Sequence, residues 1–198
     1  MAANRLYLVA GLGNPGAAYR ETRHNTGFFV VEALAADADI PLTRRKFDAC
    51  FGRGTVDGVP VVLAKPQAFM NRSGAPLARL AHYFNVIHQD VLVIHDDIDL
   101  AFGRLKIKEK GGHGGHKGVE SVIDAFGEDR FVRLRVGVGR AEGGTGAVNH
   151  VLGRFSPAER PLLGPLVDRA REAAVCILCR GARAAMNRFN SKNTLNNC

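Results

Sequence analysis

Long apolar runs and internal repeats are both missing from this sequence of 198 residues. The apolar run near its start, RLYLVAGLG, is closed by glycine and is far shorter than the roughly 20 residues that a membrane helix needs. We therefore expect no secretory leader, no membrane span and a cytoplasmic protein. Low-complexity sequence is confined to the polar end, NSKNTLNNC, and we predict a frayed tail over about residues 190–198.

Cysteine is scarce, and its spacing does not favour a metal site. Of Cys50, Cys176, Cys179 and Cys198, only the CILC pair is spaced like zinc ligands, and no second pair or matching histidine lies nearby. The segment LVDRAREAAVCILCRG has a helical rhythm of apolar residues. Both cysteines of the pair are therefore interpreted as small apolar residues of a packed helix.

Acidic residues are outnumbered by basic ones. The 27 Lys and Arg against 19 Asp and Glu give a net charge of +8 and a pI near 9.7. This balance indicates a polyanionic partner, either nucleic acid or an anionic membrane surface. Because the basic residues are spread along the chain, they favour a folded basic face over a disordered basic tail.

Strand-like and helix-like segments alternate along the chain. Short apolar or alternating runs typical of strands are RLYLVAG, KFDACFGRGTV, VPVVLAK, DVLVIHD, RLKIKEK and VRLRVGVG. Helical periodicity is found in TGFFVVEALAADA, SGAPLARLAHYFNV, VESVIDAF and a last segment that runs from Ser156 to Gly181. Thr26 is predicted to cap the first of these helices, and Ser156 and Glu159 stand in capping-box order at the last.

The order of these segments predicts the fold class. The dipeptide Asp57-Gly58 favours a tight hairpin turn, which forces one antiparallel pair into a sheet whose other strands are separated by helices. We predict a single α/β domain over residues 1–198, with a twisted mixed β-sheet flanked by helices on both faces. A chain of this length can bury one sizeable core.

Four loops beyond predicted strand ends carry the polar residues, which is where such sheets place their functional groups. They are GLGNPG with the following RHNTG, FMNRSG, HDDID and the glycine-rich KGGHGGHKG. GLGNPG formally matches G-x-G-x-x-G, but a dinucleotide site needs a helix that opens inside the motif, and Pro15-Gly16 is a turn signal. A tight loop that presents Asn14 to a ligand fits better.

His24 and Asp96 form a candidate general-base pair. Asp96 ends an apolar strand, where its carboxylate can accept the proton of one imidazole nitrogen and leave the other nitrogen basic. No serine stands in a G-x-S-x-G turn and no cysteine in a comparable loop, so the favoured nucleophile is water. The side-chain amides of Asn14 and Asn71 are suitable donors to a substrate carbonyl or its oxyanion.

Metal ligation is the rival interpretation of this region. The possible ligands are His95, Asp96, Asp97, Asp99, His113 and His116. However, the helical pair of H-E-x-x-H is absent, and H-x-x-H within a glycine loop has too little rigidity to define a coordination geometry. We therefore predict a site without metal or cofactor.

Taken in order, four segments make the sequence resemble the bacterial-type peptidyl-tRNA hydrolase family. They are GLGNPGAAYRETRHNTGF, KPQAFMNRSG, HDDIDLAFGRLKIKEKGGHGGHKG and RLRVGVGR, with a weaker echo in AMNRF near the end. The resemblance covers about residues 5–155. It implies hydrolysis of the ester between a peptide and the 3′ ribose of tRNA, which recycles tRNA from chains released prematurely by the ribosome.

The resemblance also implies roles for individual residues. His24 is the general base that activates water, and Asp96 orients it and stabilises its charge. The residues that bind the peptide and its ester end are Asn14, Asn71, Tyr19 and Met70. His116 closes over the cleft from the glycine loop, which is interpreted as a mobile flap.

A basic face for tRNA is implied at Lys106, Lys108 and Arg135. Lys106, Lys108 and Lys110 alternate along RLKIKEK, so one face of a strand presents all three to a phosphate backbone. The same lysines are equally typical of a solvated edge strand. Phosphate contacts without base contacts suit an enzyme that serves nearly all tRNAs, and their affinity depends strongly on salt. We expect a monomer.

One position departs from the family pattern, because Lys117 stands where the family usually has asparagine. An amide that donates and accepts is replaced by a cation that only donates. If Lys117 faces the cleft, its charge disfavours a second proton on His24 or engages a phosphate, and activity is retained but altered. The alternative function is that of a non-catalytic RNA-binding relative of the splicing-factor type, which has no use for a base and its orienting acid.

Overall fold

The computed structural model describes residues 5–140 and 146–191, and its strands form one seven-stranded sheet. The strands are β1 (Tyr7–Gly11), β2 (Arg44–Lys46), β3 (Ala49–Val56), β4 (Val59–Pro66), β5 (Val91–Asp97), β6 (Leu105–Lys108) and β7 (Val132–Gly137). Their order is β2-β3-β4-β1-β5-β7-β6. The pairs β4–β1, β1–β5 and β5–β7 are parallel, and the outer pairs are antiparallel.

Helices cover both faces of the sheet. They are α1 (Thr26–Asp37), α2 (Gly74–Tyr83), α3 (Lys117–Phe126), α4 (Ala147–Leu152), α5 (Arg160–Arg180) and α6 (Ala182–Phe189). One core cluster joins the sheet to α1, α5 and α6, and a second joins the opposite face to α2 and α3. The predicted α/β class, with a mixed sheet between helices, is confirmed. No described helix is long and apolar enough to span a membrane.

The start of α1 differs from the prediction. Thr26 is the first residue of the helix and does not cap it, because its Oγ1 donates to the carbonyl oxygen of Arg23 at 2.6 Å. The chain enters α1 through a 3₁₀ turn over Arg23–Asn25, and the N-cap position belongs to Asn25. The two reciprocal hydrogen bonds of the predicted capping box are present, from Glu159 N–H to Ser156 Oγ at 3.2 Å and from Ser156 N–H to Glu159 Oε2 at 2.7 Å. They lie in the turn before α5, whose N-cap position belongs to Glu159 and not to Ser156.

Several boundaries also differ. The run KFDACFGRGTV is broken by a hairpin turn in which Phe47 and Asp48 have positive φ, so β2 precedes it and β3 follows. Strand β6 ends at Lys108, which leaves Lys110 in a bend and not on the predicted strand face. The long last helix begins at Arg160, four residues after the predicted Ser156, and ends before Gly181 as predicted. A separate helix, α6, follows it and was not predicted. At the predicted tail, Asn190 is hydrogen-bonded to Ile107, and residues 192–198 lie outside the described residues.

A close approach between two glycines brings α1 against the sheet. A Cβ on Gly27 would lie 2.3 Å from the carbonyl oxygen of Ile94 and 2.5 Å from Leu12 N, and a Cβ on Gly11 would lie 2.1 Å from Gly27 O. Only glycine permits this approach at either position. The turn before α1 is thereby held directly above the carboxyl ends of β1 and β5.

Candidate active site

A cleft of about 730 Å³ opens at the carboxyl ends of β1, β4, β5 and β7. All four loops predicted from the sequence contribute to its walls. Apart from Lys106, every predicted site residue lines it: Asn14, Tyr19, His24, Met70, Asn71, Asp96, Lys108, His116, Lys117 and Arg135. Lys106 lies beside the cleft, directly opposite Arg135 in the β6–β7 pair.

His24 and Asp96 are in direct contact at the floor of the cleft. His24 Nδ1 lies 2.8 Å from Asp96 Oδ1, with 12% of the histidine side chain and 1% of the carboxylate side chain exposed. Because a carboxylate only accepts, Nδ1 carries the proton and Nε2 keeps its lone pair. No partner of Nε2 is found within residues 5–140 and 146–191. Nε2 of His24 is therefore free to accept a proton in the cleft that the residue lines.

His116 occupies a different position from the one that the resemblance implied. It is the N-cap of α3, and its Nδ1 accepts from Gly118 N–H at 3.1 Å and Val119 N–H at 3.2 Å. An Nδ1 that accepts two donors has no proton, so Nε2 is protonated and donates to Asp96 Oδ1 at 2.9 Å. Both nitrogens are engaged, so the ring is docked in the floor of the cleft.

Two imidazoles therefore share one carboxylate oxygen. Burial disfavours the charge of Asp96, but the electrostatic attraction and hydrogen bonds of His24 and His116 outweigh it and hold the pKa of Asp96 far below the usual carboxyl range. Asp96 is therefore ionised wherever the protein is folded near neutral pH. A permanent negative charge beside His24 stabilises the imidazolium that forms when His24 takes a proton.

The same three side chains are the group best placed to hold a metal ion. One ligand atom from each of His24, Asp96 and His116 lies within 4.8 Å of the others. A metal would take the place of both N–H donors to Asp96, because metal ligation needs unprotonated nitrogens. Hydrogen bonding and metal binding are thus alternative uses of this cluster. The other possible ligands named from the sequence, which are His95, Asp97, Asp99 and His113, do not belong to this group.

Asn14 is held rigidly in the wall of the cleft. Its Oδ1 accepts from Met70 N–H at 2.7 Å, which turns its Nδ2 away from that contact. Its backbone is fixed by Asn25, whose Oδ1 accepts from Asn14 N–H at 2.8 Å and whose Nδ2 donates to Asn14 O at 3.0 Å. Nδ2 of Asn14 has no partner among the described residues. It remains available to donate to a ligand.

Asn25 was not predicted as a site residue, although it adjoins His24 in RHNTG. We expect Asn25→Ala to lower kcat about 10- to 100-fold, because the hydrogen bonds that set the position of Asn14 are removed. The free energy of unfolding should also fall by about 1–3 kcal/mol, since both hydrogen bonds are buried.

Steady-state kinetics and thermal melting of Asn25→Ala and Asn25→Asp would test this role. The carboxylate can still accept from Asn14 N–H, so Asn25→Asp should recover part of kcat. A kcat within twofold of wild type for Asn25→Ala would exclude a positioning role.

One wall of the cleft is apolar and partly exposed. Tyr19 packs edge-on against Phe69 at 6.3 Å between ring centroids, and Met70 is buried next to them. Asn71 is exposed in the 3₁₀ turn that follows Phe69. Val148 and Leu152 of α4 complete the wall, with 67% and 37% of their surfaces exposed. No sequence signal marked these two residues, because α4 is short and lacks a buried side chain.

The opposite side of the cleft is cationic. Lys106 lies opposite Arg135 and Lys108 opposite Arg133 in the β6–β7 pair, so all four side chains share one face of the sheet. Asp97 forms an ion pair with Arg135. Arg133 was not predicted, although its alternation with Arg135 in VRLRVG places both on the same face.

The glycine loop is anchored at its first half. Arg133 donates to the carbonyl oxygens of Gly111 and Gly112, and Gly111 N–H donates to an Asp129 carboxylate oxygen at 3.0 Å. The second half contains Gly114 and Gly115, both with positive φ and nothing within 4 Å of an added Cβ. Freedom to move is therefore concentrated in these two glycines, between an anchored start and the docked His116.

Lys117 lies at the rim of the cleft. Its Nζ is 2.9 Å from Glu120 Oε2 one turn along α3, and 66% of its side chain is exposed. The hydrogen bond from Lys117 lowers the pKa of Glu120. The extra cation is thus paired with an acid on the same helix, and it faces solvent as well as the cleft.

Replacing Lys117 with asparagine, the family's usual residue, tests the departure at this position. We expect Lys117→Asn to change the turnover number several-fold, because a cation at the rim is replaced by an amide. Glu120→Gln is the matched variant: it removes the charged partner of Lys117 while keeping the cation, and it should shift the turnover number in the opposite direction. A turnover number and a substrate affinity that are both unchanged in Lys117→Asn would refute the hypothesis.

His95 contacts the group formed by His24, Asp96 and His116. Its Nδ1 donates to the backbone oxygen of Asp96 at 2.7 Å, and its ring lies 4.6 Å from that of His116 in an edge contact. Burial, and then the proximity of His116, lower the pKa of His95 well below its ordinary value, so the ring is neutral. His95 thus helps to fix the strand end that carries Asp96, a role that its place in HDDID did not reveal.

The fold and site together define an α/β protein with a histidine–carboxylate pair in an open cleft, an arrangement suited to general-base chemistry. The peptidyl-tRNA hydrolase family model matches residues 8–197. The chain belongs to the peptidyl-tRNA hydrolase family, as its motifs indicated.

Individual relatives cover nearly the whole chain. The peptidyl-tRNA hydrolase of Desulforudis audaxviator is 47% identical over 184 residues, which are 93% of this chain and 93% of that protein. That of Bacillus subtilis is 41% identical over 187 residues, which are 94% of this chain and 100% of that protein. A crystal structure of the Acinetobacter baumannii peptidyl-tRNA hydrolase matches with a TM-score of 0.87 and 36% identity over 95% of each chain.

Proposed function

We propose that this protein hydrolyses the ester between a peptide and the 3′ ribose of tRNA. The observation that carries the proposal is the hydrogen bond between His24 and Asp96 on the floor of a cleft with one cationic and one apolar side. The cationic side suits tRNA phosphates, and the apolar wall suits a peptide of variable sequence. Family membership independently favours this substrate.

Each reacting group has a candidate residue. Nε2 of His24 takes a proton from water as the water oxygen bonds to the ester carbonyl carbon. Asn14 Nδ2 donates to the developing oxyanion, and the amide of Asn71, which follows Met70 in the chain, is a second donor from the cleft wall. The carbonyl then re-forms, the bond to the ribose 3′ oxygen breaks, and the imidazolium returns its proton to that oxygen. The products are a peptide carboxylic acid, which loses its remaining proton to solvent, and tRNA with a free 3′ hydroxyl.

His116 has a supporting role in this scheme. The Nε2–H group of His116 and the Nδ1–H group of His24 both donate to Asp96 Oδ1, so the carboxylate is fixed from two sides. Its Nδ1 is occupied by the start of α3, which excludes it as a second base. We assign His116 to orienting Asp96, and the apolar wall around Tyr19 and Met70 to binding the peptide.

We assign tRNA binding to the face formed by Lys106, Lys108 and Arg135. Phosphate contacts by these side chains carry no sequence information, which suits a substrate class with one backbone and many sequences. We further propose that the protein acts as a monomer, in the cytoplasm and without a cofactor. The monomer is supported by the absence of any coiled-coil pattern in the sequence.

Turnover separates this function from that of an RNA-binding relative. The chain at catalytic concentration is mixed with tRNA carrying a labelled N-acetylated peptide, and release of free tRNA is followed over time. An enzyme releases many equivalents of tRNA per chain. Stoichiometric binding of tRNA with the ester intact would instead establish the non-catalytic alternative.

A further inference from the structure

Strand β6, which carries Lys106 and Lys108, is held from outside the sheet by Asn190. Ile107 N–H donates to Asn190 Oδ1 at 2.7 Å, and Asn190 Nδ2 donates to Ile107 O at 3.1 Å. Ile107 lies between the two lysines, and its N–H and C=O point away from β7 toward the free edge of the sheet. The side-chain amide of Asn190 therefore takes the place that a further strand would fill.

Asn190 is itself fixed to the core. It follows the last residue of α6, and its N–H donates to Met186 O at 3.0 Å. On the same helix Ala185 and Phe189 are buried in the core cluster that also contains Ile107. The amide thus belongs to a packed element and cannot follow β6 if the strand moves.

Strand β6 needs such support because of its charges. It is a four-residue edge strand, and Lys106 and Lys108 lie directly opposite Arg135 and Arg133. Like charges placed opposite each other on neighbouring strands repel. Burial, and then the neighbouring Arg135, Lys106 and Arg133, lower the pKa of Lys108, as expected for crowded cations. The two hydrogen bonds from Asn190, which is fixed to the core, hold the backbone of this crowded edge strand in place.

We infer that Asn190 is a positioning residue for RNA binding, which holds the backbone of β6 so that Lys106 and Lys108 present one face together with Arg135. This inference rests on the proposed role of the lysines in tRNA binding. Asn190 touches no substrate, and it acts through the backbone of Ile107. Hydrolysis itself takes place at His24, so Asn190 affects how tightly tRNA binds more than how fast the bound ester reacts.

Asn190→Ala tests the inference, with Asn187→Ala as its matched control. Asn187 lies on the same helix and makes no hydrogen bond among the described side chains. We expect Asn190→Ala to raise KM for peptidyl-tRNA about three- to tenfold with kcat within twofold, because two hydrogen bonds to the edge strand are removed. The dependence of log Kd for tRNA on log salt should also become shallower, by about 0.7–0.9 for each phosphate that the lysines no longer neutralise. Asn187→Ala should match wild type in both.

A mutant cycle that combines Asn190→Ala with Lys106→Ala/Lys108→Ala tests whether Asn190 acts through the two lysines. If it works through the lysines, Asn190→Ala has no further effect on KM or on the salt dependence once the lysines are gone. An equal additional rise in KM, or a fall in kcat without a change in KM, would overturn the inference. If KM is raised in the lysine variant but unchanged in Asn190→Ala, the inference alone fails. If the lysine variant has wild-type KM, the proposed RNA face fails and the inference fails with it.

Discussion

Replacing His24 with alanine should lower kcat for peptidyl-tRNA hydrolysis by about 10²–10⁴, the contribution of a positioned general base. The binding surfaces lie elsewhere in the cleft, so KM should change little. Asp96 keeps its hydrogen bond from His116, which preserves one donor to the buried carboxylate. The melting temperature of the variant should therefore stay close to that of the wild type, and the fall in rate reports on chemistry.

His82→Ala provides the matched control for this variant, because His82 is exposed on α2 and lies outside the cleft. It should hydrolyse peptidyl-tRNA at the wild-type rate. Both variants are compared with wild type in single-turnover reactions, which separate the chemical step from product release. Full activity of His24→Ala would refute the assignment of the base.

Replacing Asp96 with asparagine should lower kcat by about 10²–10⁴. The amide has nearly the shape of the carboxylate, and its oxygen can still accept from His24 and His116, which both bond to the same oxygen in the wild type. What it lacks is the negative charge that stabilises imidazolium during proton transfer. The wild-type pKa of Asp96 is far below its ordinary range, so changes in rate above about pH 4 do not arise from its titration.

Asp124→Asn is the corresponding control, since Asp124 is an exposed acid on α3 outside the cleft. It removes the same charge from the protein without touching the histidines. Its kcat should equal that of wild type. A kcat for Asp96→Asn within threefold of wild type would mean that the buried carboxylate has a structural role only.

The sequence could predict which polar residues lie together in the cleft, because most of them follow strand ends. Asn14 follows β1 and Asp96 lies near the end of β5, and parallel strands bring such residues to one edge of the sheet. His24 lies beside them because the turn that carries it precedes α1, and α1 packs against the same strands through Gly27. Segments with clear periodicity, such as β5 and α5, were predicted for the same reason: burial of a regular apolar pattern defines them.

Some features that depend on particular hydrogen bonds could not be predicted. The start of α3 fixes the tautomer of His116, and nothing in KGGHGGHKG indicates that its second histidine is an N-cap bonded to a buried carboxylate. Threonine is a common N-cap residue, but a 3₁₀ turn continues directly into α1, and the Thr26 hydroxyl donates to the carbonyl oxygen of Arg23. The contact of Asn190 with Ile107 joins residues 83 positions apart, beyond the reach of any local pattern.

We propose that His24, oriented by Asp96, activates water without a metal ion, although both residues and His116 are placed to bind one. This proposal is tested directly by kcat of the wild-type protein before and after exhaustive dialysis against a chelator, with metal content determined on the same samples. The metal-free protein should have an unchanged kcat. A kcat that is abolished by chelation and restored by one equivalent of a divalent ion would contradict it.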